Sequence, residues 1–188
     1  LRFSARMKES SGFLFMTNFQ DHDTARIDQK ELQIKLNLKG ETLTIPANGT
    51  FTLKKAASAI LPFNFDMEGA RLKYATAQLL AKLADDGGRT HYIFFAPDGF
   101  TPEYIFEKGS IKGNKVRFTP TPGTKSTFRL TTATGEKLMV TTLTRQQALN
   151  TLQLEDGRLL ITDATVLPEK KKVTFLSINQ PSVDYILY

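Results

Sequence analysis

The sequence has no cysteine, no tryptophan and only two histidines, His22 and His91, among its 188 residues. Without cysteine the chain can form neither a disulfide nor a thiolate site, and a cysteine-based zinc site is excluded. Two histidines are too few for a histidine-rich metal centre. The lack of disulfides leaves the compartment open, because a chain of this size can bury roughly 70% of its unfolded surface and needs no covalent staple.

Long apolar runs and several short chemical motifs are also missing. No apolar run approaches the ~20 residues that a membrane-spanning helix requires. The phosphate-binding patterns G-x-x-x-x-G-K-[ST] and G-x-G-x-x-G do not occur, and neither does the G-x-S-x-G nucleophile elbow. We therefore expect no membrane span, no phosphate loop and no serine hydrolase site.

The positive charge is dispersed along the chain. The net charge is +6, but the only tight cationic run is residues 170–172, which follows Glu169 and precedes a strand-like segment. A short lysine run is more typical of a solvated turn or a protected strand edge than of a phosphate-binding surface. We therefore expect no nucleic-acid partner.

The residues that are present favour strands. Apolar residues make up 40% and charged residues 23%, as in ordinary soluble proteins, and there are 14 phenylalanines. The clearest strand is residues 31–38, where aliphatic side chains occupy every second position: Leu32, Ile34, Leu36 and Leu38. This alternation places them on one face of a strand. A turn at residues 39–41 and renewed alternation at 42–45 predict a hairpin.

Other short segments with strand-like composition are separated by glycine, proline and asparagine turns. They are residues 1–6, 12–19, 51–53, 92–95, 104–106, 115–119, 126–131, 137–143, 158–162, 173–178 and 183–188. This pattern predicts an all-β, mainly antiparallel fold, as a β-sandwich or a partly open barrel. Asn48-Gly49-Thr50 also matches the glycosylation acceptor pattern, but an Asn-Gly turn is the simpler interpretation.

The central stretch, residues 60–80, reads ILPFNFDMEGARLKYATAQLL. Its proline, Pro62, and its glycine turn at Gly69 predict a corner of the hydrophobic core. The best core candidates are Leu61, Phe63, Phe65 and Leu72.

Residues 70–84 fit two secondary structures. Leucines at helical spacing and several alanines favour a helix. The turn signal at residues 85–88, followed by the apolar segment 92–95, favours a long hairpin instead.

One short helix is predicted near residues 145–154. Thr144 and Gln147 have the spacing of a capping box, in which each side chain bonds the other residue's backbone N–H. Ala148, Leu149 and Leu152 then form an apolar stripe, and the helix should end before Asp156-Gly157.

Asp21, His22 and Asp23 form the one cluster of metal-ligating residue types. Two carboxylates beside a histidine suit a metal ion, but no second group of ligands is evident elsewhere in the sequence. A polar loop over residues 20–26 is the better interpretation, and we expect no metal site.

Five segments together resemble a known domain. In order they are SGFLFMTNFQDH, LTIPANGTFTL, ILPFNFDMEGARLKYATAQLL, YIFFAPDGFTPEYIF and VTTLTRQQALNTLQLEDGRLLITDATVL. Their order and spacing resemble the second domain of glycoside hydrolase family 35 β-galactosidases, which follows the catalytic barrel. The resemblance runs over residues 10–167 and includes no motif with a chemical mechanism. It favours strands over a helix for residues 70–84.

The resemblance implies a domain without its own chemistry. In that family two glutamates on the barrel cleave terminal β-galactosides with retention, and such a barrel needs roughly 200 residues or more of alternating strand and helix. The resemblance therefore assigns no catalytic, cofactor-binding or metal-binding residue here. It implies that residues 1–188 are a single non-catalytic β domain of a larger glycosidase. The opening at Leu1, without an initiating methionine or a signal peptide, fits a chain cut from a longer protein.

The same resemblance sets the expected partners and location. The partners would be the catalytic barrel and later β domains of the parent chain, with an oligosaccharide as a further candidate ligand. The expected location is extracellular or periplasmic.

Four carboxylates are candidates for catalysis by this chain itself: Asp66, Glu68, Asp98 and Glu103. A retaining pair must lie about 5–5.5 Å apart across the sugar. Turn and loop positions explain these residues more simply, since Glu68 precedes Gly69 and Asp98 precedes Gly99.

Two other functions fit an all-β chain. A carbohydrate-binding β-sandwich would use exposed aromatic rings, but most phenylalanines here lie on strand patterns that point inward. A surface adhesion domain unrelated to hydrolysis fits the strand pattern equally well.

Overall fold

A computed structural model describes residues 1–19, 27–84, 87–169, 172–178 and 182–188. The predicted metal-ligand cluster at residues 21–23, the turn residues 85–86 and the lysines at 170–171 lie outside these ranges. The described residues form 19 strands and one helix, which confirms the predicted all-β class.

The elements follow one another in short steps. In chain order they are β1 Arg2–Lys8, β2 Ser11–Thr17, β3 Gln29–Leu32, β4 Ile34–Leu38, β5 Glu41–Ile45, β6 Phe51–Leu53, β7 Ser58–Met67, β8 Ala70–Ala75, β9 Gln78–Ala84, β10 Thr90–Ala96, β11 Tyr104–Phe106, β12 Arg117–Phe118, β13 Thr127–Thr131, β14 Lys137–Thr144, α1 Arg145–Leu149, β15 Thr151–Gln153, β16 Leu159–Thr162, β17 Thr165–Glu169, β18 Lys172–Leu176 and β19 Tyr185–Leu187.

Three sheets and three strand pairs arise from these strands. The first sheet has the order β1-β2-β7-β8-β11-β12, the second β13-β14-β10-β9 and the third β15-β16-β19. The pairs are β3–β6, β4–β5 and β17–β18. All pairings are antiparallel except that of β10 with β14. The described strands do not close into a barrel, so the architecture is a layered sandwich.

The hydrophobic cores show how the layers stack. One core lies between the first and second sheets and contains Leu72, Phe94 and Tyr104. A second core lies between the first sheet and the small pairs β3–β6 and β4–β5. A third lies between the second sheet and the third sheet. Both large sheets therefore face a core on each side, although β1 at the edge of the first sheet is exposed along its length.

Strand β10 is buried on both faces. Tyr92 and Phe94 enter the first core, while Ile93 and Phe95 face the third core, as the alternation of a pleated strand requires. Its neighbours are β9 on one side and β14 on the other. A parallel pair is typically buried on both faces, which agrees with the nearly continuous apolar sequence of β10.

The predicted strand at residues 31–38 is two strands. The strand conformation is interrupted at Gln33, between β3 and β4, and Glu31 has a positive φ of 53°. The alternation survives the break, because the four predicted aliphatic residues all pack against the second core. The predicted hairpin is confirmed, with Leu36 opposite Leu43 in the β4–β5 register.

Residues 70–84 form strands β8 and β9, as the resemblance implied, and not a helix. Strand β9 pairs with β10 across the turn, which confirms the long hairpin. The helical spacing was misleading because residues on both sides of β8 are buried. Leu72 and Ala75 enter the first core, whereas Tyr74 enters the second.

The predicted helix is present but shorter than expected, because α1 ends at Leu149. Its capping box is confirmed: the N–H of Gln147 lies 3.2 Å from Thr144 Oγ1, and the N–H of Thr144 lies 3.0 Å from Gln147 Oε1. The second half of the predicted range contains β15, so Leu152 lies on a strand. The apolar stripe does not form, and Leu149 is 61% exposed.

Along β7, the buried side chains switch from one face of the strand to the other. On β7, Leu61 and Phe63 enter the second core, but Phe65 and Met67 contact the first core. Strict alternation would keep all four on one face. Asn64 lies between the two sets, with a left-handed φ of 47°.

Strand β8 changes face at the neighbouring position. Leu72 enters the first core and Tyr74 the second. The register with β11 passes directly from Tyr74 to Leu72 and skips Lys73, which is the extra residue of a bulge. The predicted core residues Leu61, Phe63 and Leu72 are fully buried, and Phe65 is half-buried.

Gly99 and Gly113 differ in how closely another backbone segment approaches them. Gly99 and Gly113 have φ of 87° and 89°, but a Cβ at Gly99 would lie 2.3 Å from Thr52 O, whereas nothing lies within 4 Å of a Cβ at Gly113. Both Gly→Ala changes should carry the left-handed cost of about 1–2 kcal/mol. Gly99→Ala should lose about 1–3 kcal/mol more, because backbone must move. Urea unfolding measures both, and equal losses would contradict the close approach.

Candidate functional site

The carboxylates Asp66 and Glu68 share the turn between β7 and β8, where each has a structural partner. Asp66 Oδ1 accepts a hydrogen bond from the N–H of Gly69 at 2.8 Å. Glu68 forms an ion pair with Lys82 on β9, which ties the turn to the second sheet. This pairing with Lys82 lowers the pKa of Glu68 below its ordinary value.

Asp98 and Glu103 lie in different surroundings. Asp98 is exposed in the loop after β10, and its carboxylate lies 3.7 Å from Arg145 Nη1 at the start of α1. Glu103 is buried just before β11, and its side chain is only 5% exposed. Asp98 is therefore open to solvent, whereas Glu103 is enclosed, and each is paired with a different arginine.

Glu103 is held by a complete set of partners. Arg117 Nε on β12 donates to Glu103 Oε2 at 2.6 Å, and the hydroxyl of Tyr74 donates to Oε1. The Tyr74 hydroxyl also accepts a hydrogen bond from the N–H of Ala47 at 2.6 Å. Burial, and then the bond to Glu103, raise the pKa of Tyr74 well above its ordinary value. The group joins β8, β12 and the segment after β5.

A second polar group, which we call the polar junction, consists of Glu41, Asn64 and Lys73. Glu41, at the start of β5, accepts a hydrogen bond from Asn64 Nδ2 and forms an ion pair with Lys73. Asn64 Nδ2 also lies 3.0 Å from Ser10 O in the β1–β2 turn. The junction therefore binds the β4–β5 hairpin to the two positions where β7 and β8 change face.

The polar junction lines a cleft of about 540 Å³. The cleft wall also carries Asp66, Arg71 and Glu107, and no aromatic residue is among its lining residues. The hydrogen bond from Lys73 is the main cause that lowers the pKa of Glu41, and the bond from Asn64 adds to it. Glu41 is therefore paired with Lys73, and Glu107 with Arg71, inside the cleft.

His91 is a buried part of β10. Its Nε2 lies 2.7 Å from Thr141 Oγ1, and its ring meets the ring of Tyr188 edge-on with centroids 5.4 Å apart. Within the described ranges, no group of three or more His, Asp or Glu residues is placed to hold a metal ion. No helix formed by the described residues is long and apolar enough to cross a membrane.

A different surface is concave and combines exposed apolar side chains with charged ones. A cleft of about 660 Å³ lies where β7, β9, β10 and α1 meet, and it is lined by Ile60, Leu80, Phe95 and Leu149 among others. A second cleft of about 470 Å³ continues past Ile60 and is lined by Phe3 and Phe15. We call these two clefts together the apolar groove. The groove offers packing surface, and Asp98 is the one carboxylate among its described lining residues.

The sequence alone does not indicate the partners of the buried and bridging carboxylates. Glu41 appeared only as part of a turn signal, and Lys73, Tyr74 and Arg117 had no assigned role. One signal was available: Asn64 interrupts an otherwise apolar run in β7, as expected where a strand changes face. The contacts of Arg117 with Glu103 depend on the sheet order and have no local signature.

The ion pair between buried Glu103 and half-exposed Arg117 gives a stability prediction. Arg117→Met leaves the buried carboxylate of Glu103 without its cation, so the free energy of unfolding should fall by about 1–3 kcal/mol, a range that allows for the exposure of Arg117. The matched control is Arg71→Met. Arg71 forms an exposed ion pair with Glu107, so its loss should lower the free energy of unfolding by less than about 1 kcal/mol. Chemical denaturation measures both variants. Equal small losses would show that Glu103 does not depend on Arg117.

The polar junction gives a prediction about pH. The pKa of Glu41 is lower in the folded chain than in the unfolded chain, so its contribution is complete above the unfolded value, about 4.3. That contribution is lost as the pH falls through the lower folded value. The stability difference between the wild type and Glu41→Gln should therefore be largest near neutral pH and vanish in acid.

The control for this experiment is Glu136→Gln, because Glu136 is exposed and has no side-chain partner among the described residues. Its stability difference from the wild type should change little between neutral and acidic pH. Urea unfolding at several pH values supplies both series. A Glu41→Gln difference that stays constant with pH would contradict the role of the carboxylate.

Comparison with protein families supplies the identification. Residues 4–166 match the family described as β-galactosidase, domain 2. A comparison with curated proteins finds no match. The match covers most of the chain and agrees with the resemblance that the five sequence segments indicate. The chain therefore belongs to the β-galactosidase domain 2 family and is an accessory domain of a β-galactosidase.

Proposed function

We propose that this chain is the second domain of a glycoside hydrolase family 35 β-galactosidase and packs against the catalytic barrel and later β domains of its parent. The family match over residues 4–166 is the observation that carries the proposal. On this proposal, residues 1–188 are a single non-catalytic domain, and the parent acts outside the cytoplasm. The domain supports hydrolysis of terminal β-galactosides by holding the barrel in place.

The contacts of the four candidate carboxylates support a non-catalytic role. Glu68, Asp98 and Glu103 each have a cationic partner, and Asp66 is bound to the backbone of its own turn. A retaining mechanism needs two carboxyl groups facing one sugar, with one acting as nucleophile and the other as acid and base. Each of these four carboxylates has a structural partner instead, and the apolar groove is a surface suited to packing.

The proposal predicts where activity resides. The 188-residue chain alone should not hydrolyse a chromogenic β-galactoside, and the parent protein that contains it should. Steady-state assays at equal molar concentration measure the difference. Turnover by the isolated chain that disappears in Glu103→Gln or Asp98→Asn would overturn the proposal. A parent that lacks activity towards β-galactosides would overturn the family 35 assignment.

A carbohydrate-binding role makes a separate prediction. Calorimetric titration of the chain with galactosides and oligosaccharides should give no heat of specific binding if the domain is only a scaffold. The exposed aromatic side chains to test are Phe3, Phe19 and Tyr185, since sugars stack on accessible rings. Saturable binding lost on Tyr185→Ala would favour the carbohydrate-binding alternative.

A further inference from the structure

The apolar groove has the form of a docking surface. Its two clefts share Ser58 and Ile60, so they form one continuous depression beside β7. Large apolar side chains are open to solvent along it: Leu149 is 61% exposed, Phe3 65% and Leu80 36%. Contiguous exposed apolar surface in a concave setting is typical of a site that another protein segment covers.

The charges around the groove indicate the chemistry of that segment. Its lining includes the cations Arg2, Lys54, Lys55 and Arg145, against one carboxylate, Asp98. Asp98 is paired with Arg145, and Lys54 is paired with Asp28 at 2.9 Å. No acidic side chain of the described ranges forms an ion pair with Lys55 or Arg2. The rim therefore has cationic groups available for a partner's carboxylates.

A second copy of the chain is a poor occupant. A symmetric contact between two grooves would bring the same cationic rims together, and like charges across an interface are unfavourable. The net charge of +6 adds to this repulsion.

We propose that the apolar groove receives a segment of the parent β-galactosidase, outside residues 1–188, in which acidic residues flank large apolar side chains. The apolar side chains would cover Leu80 and Leu149, and the carboxylates would pair with Lys55 and Arg2. This inference rests on the proposed function, because it takes the parent chain as the source of the segment. It adds the surface that docks and the chemistry of its partner.

The first test measures the accessibility of the groove in the full-length parent. Hydroxyl-radical labelling with mass spectrometry should show Leu149 and Leu80 oxidised several-fold more slowly in the wild type than in Lys55→Glu, because the charge reversal releases the segment. Lys108→Glu is the matched control, since Lys108 is an exposed lysine outside the groove, and it should leave the labelling unchanged. Equal labelling in all three proteins would overturn the inference.

The second test identifies the partner. A carbodiimide joins an amine directly to a carboxylate in contact with it, so in the parent it should link Lys55 to an aspartate or glutamate outside residues 1–188. Links only to a second copy of the chain, or none from Lys55, would overturn the inference. The same preparation is assayed with a chromogenic β-galactoside. An active parent without these links refutes the groove alone, whereas a parent inactive on β-galactosides refutes the proposed function.

Discussion

The bond of Glu41 to both Asn64 and Lys73 is the interaction on which the layered structure depends. At these two adjacent positions β7 and β8 change the face that they present to each core. A bulge and a left-handed residue are local irregularities that leave polar groups inside a sheet. Glu41 binds the side chains at both irregular positions with one carboxylate, and it comes from the hairpin that covers the second core.

The change of face explains how one sheet serves two cores. Without it, β7 would place Phe63, Phe65 and Met67 on the same side. With it, Phe63 packs under the β4–β5 hairpin, while Phe65 and Met67 contact the residues of the second sheet. Tyr74 then lies on the hairpin side, where its hydroxyl reaches Glu103 and the backbone of Ala47. The polar junction and the bond from Tyr74 to Glu103 therefore both follow from the change of face in β7 and β8.

Sequence patterns predicted what depends on local periodicity and turn chemistry. The alternation in residues 31–38, the capping box at Thr144 and the apolar run of β10 each specify their element within a few residues. For residues 70–84, periodicity was ambiguous because β8 buries side chains on both faces, and the family resemblance decided correctly. The helix ended early because Thr151 joins β16 in a sheet, and this tertiary pairing has no signal in the helical stripe.

The candidate site was harder to predict because its contacts join residues distant in sequence. Glu103 meets Arg117 and Tyr74 only through the order of β8, β11 and β12 in the first sheet. The charged side chains inside the sheets differ from those at the apolar groove in having ion-pair partners. Charges inside the layers have their partners within the chain, whereas Lys55 and Arg2 at the apolar groove have no ion-pair partner among the described residues. On the proposed docking, the internal charges stabilise the fold, while the cations beside the groove pair with the parent chain.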